Sequence, residues 1–198
     1  TPKPVGMPLE AAVAVSAMRV KTRHSVTRPT RVVAGVQLTG PVPRVTAFED
    51  TGGPFFIDSE GREPDPIDDD LSLWVETDAG LVVCLGCCHA GVVNTLRQIA
   101  TVSGGRRIAA VIGGMHLVNA SAERLERTAE ALKAYAIPRI IPCHCTGDAA
   151  TALLAERLGN AVRPGQAGME WIYERSGDNG KTNEKKTGLR SGAVRDVR

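Results

Sequence analysis

Apolar residues occur in short runs separated by polar, glycine-rich breaks, and the spacing inside the runs changes along the chain. Leu71, Leu73 and Val75, then Leu81-Val82-Val83-Cys84-Leu85, flank Thr77-Asp78-Ala79-Gly80, whose glycine is placed to take a positive φ. This pattern predicts a hairpin over residues 71–85. Upstream, residues 31–38 read as one strand, Gly40-Pro41-Val42-Pro43 as a break, and residues 61–70 as an acidic, proline-containing loop. Downstream the period becomes helical. Val92, Leu96 and Ile99 predict a helix over 92–102 stopped by Gly104-Gly105. Ser121 as a cap, Glu123 in the first turn and the stripe Leu125, Ala129, Leu132, Ala136 predict another before Pro138. Ala150, Leu153, Leu154 and Leu158 predict a third over 148–158, with Gly159 at its end. The apolar runs 108–112 and 140–141 fall between these helices. Strand, loop and helix alternate three times, which implies an α/β fold with parallel strands.

A chain of 198 residues suffices for one domain of ordinary size. Residues 1–30 show no clear period and stay unassigned, 31–173 form the folded part, and 174–198, poor in apolar residues, read as a disordered polar tail. The first residue is Thr1, so the chain is expected to start after removal of a segment or partway through a longer protein. The net charge of +2 gives no pull toward nucleic acid or membrane. No apolar stretch reaches the roughly 20 residues of a membrane span, and the start lacks the order of a signal peptide. A cytoplasmic protein is expected. Its five cysteines form two tight groups, Cys84, Cys87 and Cys88, then Cys143 and Cys145, which read as reduced thiols rather than a disulfide framework.

The candidate chemistry follows the strands. Of four histidines, His89, His116 and His144 each stand just past an apolar run and just before a helical stretch. Loops after parallel strands share one sheet edge, where ligands bind, so these imidazoles are expected to meet. Any one of them alone reads more simply as a hydrogen-bonded loop residue, and the repetition is what favours a metal site. A rival reading gathers the cysteines with their neighbouring histidines into a closed structural zinc site, although Cys84 suits a buried strand position better. The order Cys-x-x-Cys-Cys-His misses the haem-attachment spacing, and no phosphate-cradling glycine motif is present. The run Asp68-Asp69-Asp70 and the isolated His24 read as solvated surface.

Five blocks together resemble a known family: Gly40-Pro41-Val42-Pro43-Arg44 with Phe48-Glu49; Asp65-Pro66-Ile67-Asp68-Asp69-Asp70; Gly86-Cys87-Cys88-His89-Ala90-Gly91 with Asn94-Thr95; Gly113-Gly114-Met115-His116-Leu117; and Pro142-Cys143-His144-Cys145-Thr146-Gly147. Over about residues 31 to 170 the chain resembles the metallo-β-lactamase-fold hydrolases of the subfamily labelled dihydropterin-ribofuranosylaminobenzene phosphate synthase, and specifically their C-terminal part. The resemblance implies an αβ/βα sandwich lacking much of its N-terminal half, with 31–173 as a partial domain. It implies His89 and His144 as metal ligands and His116 as a ligand or a catalytic neighbour. It also implies a divalent metal, zinc first with iron or manganese as alternatives, and hydrolysis of an ester or phosphoester of a small molecule by metal-activated water. The family's His-x-His-x-Asp-His signature has no counterpart here, since only His24 precedes His89. The chain is therefore expected to be a fragment, half of a split enzyme completed by a complementary chain or a second copy, or a degenerate relative. The alternative is a non-catalytic metal-binding or partner-binding module.

Overall fold

The computed structural model describes residues 3–19 and 23–176. Six strands form one mixed sheet in chain order: β1 (Thr30–Val33), β2 (Val36–Leu38), β3 (Leu73–Thr77), β4 (Gly80–Cys84), β5 (Ile108–Gly113) and β6 (Ile140–Pro142). The first four pair antiparallel, whereas β4, β5 and β6 run parallel. Four helices accompany them: α1 (Leu9–Ala17), α2 (Val92–Ser103), α3 (Ala122–Ala134) and α4 (Asp148–Leu158). This is the α/β pattern expected, with α2 and α3 as the crossovers between parallel strands. The second sheet of a full sandwich has no counterpart among the described residues.

Most elements form for the local reasons given above. The predicted hairpin closes between Thr77 and Gly80, with φ of Gly80 at 125°. Helix α2 buries Val92, Leu96 and Ile99 and stops at Gly104, which is left-handed. Helix α3 is capped by Ser121, whose Oγ accepts from the Arg124 amide at 3.1 Å. Its stripe ends at Leu132, because Ala136 lies beyond the helix and is exposed. Helix α4 ends where Gly159 takes a φ of 59°.

Two expectations need correction, and one unassigned segment gains an element. Residues 31–38 are two strands, because Ala34 and Gly35, the latter at φ 75°, turn the chain back on itself. Residues 1–30, which showed no period, contain α1, a short apolar helix with no buried residue. Asp70 of the acidic run is structural, since its carboxylate accepts the Ala90 amide at 2.9 Å. His24 is exposed, as expected. The polar tail expected over 174–198 lies outside the described residues from 177 onward. Within 174–176, Asp78 receives the Ser176 amide and donates its own to the Glu174 carbonyl.

The core lies between the sheet and the helices. Trp74, Val83, Val111 and Ile140 are cross-strand neighbours on one face and pack with Leu96, Ile99, Leu132 and Leu154. Full burial of each such side chain is worth about 1.5–3 kcal/mol. This core holds the C-terminal ends of β4, β5 and β6 at one edge. Among the described residues no helix is long and apolar enough to cross a membrane.

Candidate metal centre

The three loops leaving β4, β5 and β6 are tied to one another by backbone hydrogen bonds. Gly114 N donates to Gly86 O at 2.9 Å, Cys143 N to Gly113 O at 3.1 Å, and Val118 N to Cys145 O at 3.3 Å. Buried Thr146 adds a side-chain link, its Oγ1 donating to Cys143 O and accepting the Met115 amide at 3.1 Å. Each histidine is thus placed by a loop whose neighbours hold it in register.

The backbone is strained where the candidate side chains project. Five non-glycine residues have positive φ among the described residues, and Cys88, His116 and His144 are three of them. Such conformations cost of order 1–3 kcal/mol each and persist only where surrounding structure enforces them. At Cys88 the turn sends its own thiol into the core against Thr95 Oγ1, 3.3 Å away, while Cys87 and His89 face the edge. Burial pushes the Cys88 thiol far up, which leaves it a neutral packing group.

Two of the three predicted histidines, His89 and His116, come together, and His144 lies beside Cys87. The rings of His89 and His116 lie 4.1 Å apart, and Phe55 packs edge-on against both. His89 Nδ1 lies 2.8 Å from the Thr51 carbonyl oxygen, which can only accept, so Nδ1 donates there and Nε2 is the ring nitrogen left to face a ligand. The carbonyl of His89 is held in turn by the Arg44 guanidinium, which also donates to Pro66 and Ile67. His144 Nδ1 is 3.6 Å from Cys87 Sγ. His116 is partly buried, and burial, then the neighbouring His89, depresses its pKa and favours the neutral ring.

The structure adds two donors that the histidine placement did not single out. Cys87, His116 and Cys145 offer ligand atoms all within 4.8 Å of one another. Residues 144–146 form a tight 3-10 turn rather than an extended stretch, which brings the Cys145 sulfur back over the β4 loop. The sequence signal was the cysteines in the His89 and His144 blocks, but the rival all-cysteine site did not separate these two from Cys84, Cys88 and Cys143. The donor set fits a divalent ion: imidazole and thiolate are ligands zinc favours, and His116 Nδ1 is buried with no hydrogen-bond partner. Burial, then the adjacent Cys87 sulfur, pushes the Cys145 thiol up to about 11, which is the arrangement a cation would reverse.

Beside His89, the loop over 51–66 bounds an open cavity of about 460 Å³ lined by Pro54, Phe55, Phe56, Pro64 and Pro66, with Asp65 as its one charge. Asp58 rigidifies this loop by accepting the amides of Glu60, Arg62 and Glu63.

A mixed sheet with outer helices and a donor cluster at its parallel edge defines the class. The fold is that of the metallo-β-lactamase superfamily: a crystal structure of a metal-dependent hydrolase of the β-lactamase superfamily superposes with a TM-score of 0.69 at 29% identity, covering 77% of this chain and 59% of that one. More particularly, the chain resembles 7,8-dihydropterin-6-methyl-4-(β-D-ribofuranosyl)-aminobenzene-5'-phosphate synthase of Methanocaldococcus jannaschii, 37% identical over 94 residues, 48% of this chain and 32% of that protein. An uncharacterized protein of the same organism is 31% identical over 134 residues, 68% of this chain and 48% of its own length. The chain thus spans between a third and a half of the curated relatives it matches. No family model matches it.

Proposed function

We propose that this chain carries the C-terminal part of a metal-dependent hydrolase site that cleaves an ester or phosphoester of a small molecule, with residues 31–173 as the unit that bears it. The observation that supports this reading is the donor group Cys87, His116 and Cys145 at the ends of three parallel strands, with His89 against His116 and His144 against Cys87. His89 through Nε2, His116 and His144 are the proposed imidazole ligands, joined by one or both thiolates. Zinc is the ion this mixed nitrogen and sulfur set suits best, with iron and manganese as alternatives. Held by those residues, a divalent ion would supply water with a pKa brought toward about 7 and a Lewis acid for the scissile group.

The chain's own residues do the rest. Thr51 and Arg44 hold His89 in one tautomer and orientation. The neutral His116 is the group available to accept a proton whenever it is not a ligand. Phe55 shields the two rings, and the cavity beside them accepts an apolar substituent of the substrate. Reduced thiols at the edge fit a reducing compartment, in line with a cytoplasmic protein.

With three imidazoles and two thiols at this edge, the chain alone is proposed to bind an ion and to turn over substrate slowly or not at all, further donors coming from a complementary chain or a second copy. Metal analysis of the purified chain, paired with turnover of bis(4-nitrophenyl) phosphate, tests this. Bound metal with feeble turnover is expected. Absence of bound zinc, iron and manganese after loading sinks the metal reading, and rapid turnover by the isolated chain sinks the incompleteness. The two sulfurs also favour a second reading, a non-catalytic metal-binding module, which requires tight zinc with no turnover when every candidate partner is present.

A further inference from the structure

We propose that Cys87 and Cys145 form an oxidisable dithiol, a covalent modification site at which a low-molecular-weight disulfide closes a Cys87–Cys145 bond. Their Sγ atoms lie within 4.8 Å of one another across two loops 58 residues apart in sequence. The Cys145 thiol points at the β4 loop and donates to the Cys87 carbonyl at 3.5 Å. A glycine makes this approach feasible: a Cβ on Gly114 would stand 2.7 Å from the Cys145 sulfur and 3.4 Å from Cys87 Cα. A disulfide needs its sulfurs at about 2.05 Å, so closure asks the two half-buried side chains to rotate toward each other while the braced loops stay in place.

The remaining thiols are directed elsewhere. Cys88 is fully buried against Thr95. Cys84 sits in β4, where burial holds its thiol up. Cys143 lies on the far side of the turn, its Cβ facing Gly165.

The chemistry balances. One protein thiolate attacks the small disulfide, forms a mixed disulfide and releases one small thiolate. The second protein thiolate then attacks the protein-bound sulfur and releases the other. Two protein thiols lose two electrons, the small disulfide is reduced to two thiols, and the two protein protons end on them. Closing the bond withdraws two sulfur donors from the cluster. That consequence rests on the metal reading above, whereas the dithiol itself does not.

The test uses the metal-free chain with excess oxidised glutathione, followed by thiol counting in denaturant and peptide mass mapping. Titratable thiols are expected to fall from five to three, with a Cys87–Cys145 cross-linked peptide two hydrogens lighter. Cys87→Ser and Cys145→Ser should instead each retain one glutathione on the remaining partner. Preloading with zinc should slow cross-linking, because a thiolate whose lone pair is held by the ion is not free to attack a disulfide sulfur. Glutathione on both cysteines without closure, a bond to Cys84, Cys88 or Cys143, or no cross-link while zinc still binds overturns the proposal. A cross-link that forms equally fast with zinc leaves the dithiol standing and removes Cys87 and Cys145 from the ligand set.

Discussion

Glu49 caps a helix from a distance, and removing it is the most direct probe of how the candidate site is held. Helix α2 starts at Gly91, which has no side chain to satisfy the first amides, and Glu49 supplies both acceptors: Oε1 takes the Val93 amide and Oε2 the Asn94 amide, each at 2.8 Å. Gly91 is the residue that lets it in, since with φ at 93° a Cβ there would stand 2.3 Å from the carboxyl carbon. In Glu49→Ala both buried amides lose their partner. A lost cap costs about 0.5–2 kcal/mol and a buried unsatisfied amide about 1–3. Against this, burial pushes the Glu49 carboxyl up despite the two amides and the guanidinium groups of Arg124 and Arg44, so the ionised form is held at some cost. Net loss at neutral pH should therefore be about 2 kcal/mol, or roughly 4–8 °C in Tm for a domain of this size.

The sign with pH follows from the same shift. A folded-state pKa above the ordinary 4.5 means that the stability Glu49 contributes is complete below 4.5 and declines as pH rises through the folded value. The deficit of Glu49→Ala should accordingly be larger near pH 4.5 than at pH 8. Urea unfolding at both pH values, followed by the fluorescence of the buried Trp74 and by circular dichroism, measures it. A loss under about 0.5 kcal/mol at both, or a deficit that grows with pH, would refute the reasoning.

Three further outcomes are expected. Zinc at a hundredfold its Kd should stabilise the chain by about 2.7 kcal/mol, raising Tm until a chelator is added, and His116→Ala should weaken zinc about 100-fold or more by competition titration; an unchanged affinity removes His116 from the ligand set. Thr146→Val leaves the Met115 amide without its acceptor and should cost about 1–3 kcal/mol, with faster hydrogen exchange at that amide; wild-type exchange would show that the loop does not depend on this bond. Gly114→Ala forces a Cβ to 2.7 Å from both the Cys145 sulfur and Gly86 O, so it should destabilise by about 1–3 kcal/mol and lower zinc affinity, and normal binding in a folded variant would argue against Cys145 as a donor.

The site is rigid because its loops are braced by each other. Thr146, Gly114 and the carbonyls of Gly86 and Gly113 form a continuous set of hydrogen bonds beneath the histidines. The positive φ of His116 and His144 is tolerated on that support.

Period and punctuation were enough to read β3 through β6 and α2 through α4, because each of those elements is decided by neighbours within a few residues: Gly80 for the hairpin, Ser121 for the start of α3, Gly104 and Gly159 for helix ends. The recurrence of a histidine after each parallel strand was legible for the same reason, and so was the resemblance those blocks carry. What the sequence could not express is set by contacts between segments far apart in the chain. The turn at Gly35 depends on pairing of β1 with β2. The cap of α2 comes from a glutamate 42 residues upstream of Gly91 in number. The choice of Cys87 and Cys145 over three other cysteines depends on a reversed φ at Cys88, a tight turn after Cys143 and the space left by Gly114. Local propensity is a property of short stretches, whereas a donor set belongs to the tertiary packing that brings separate loops to one point.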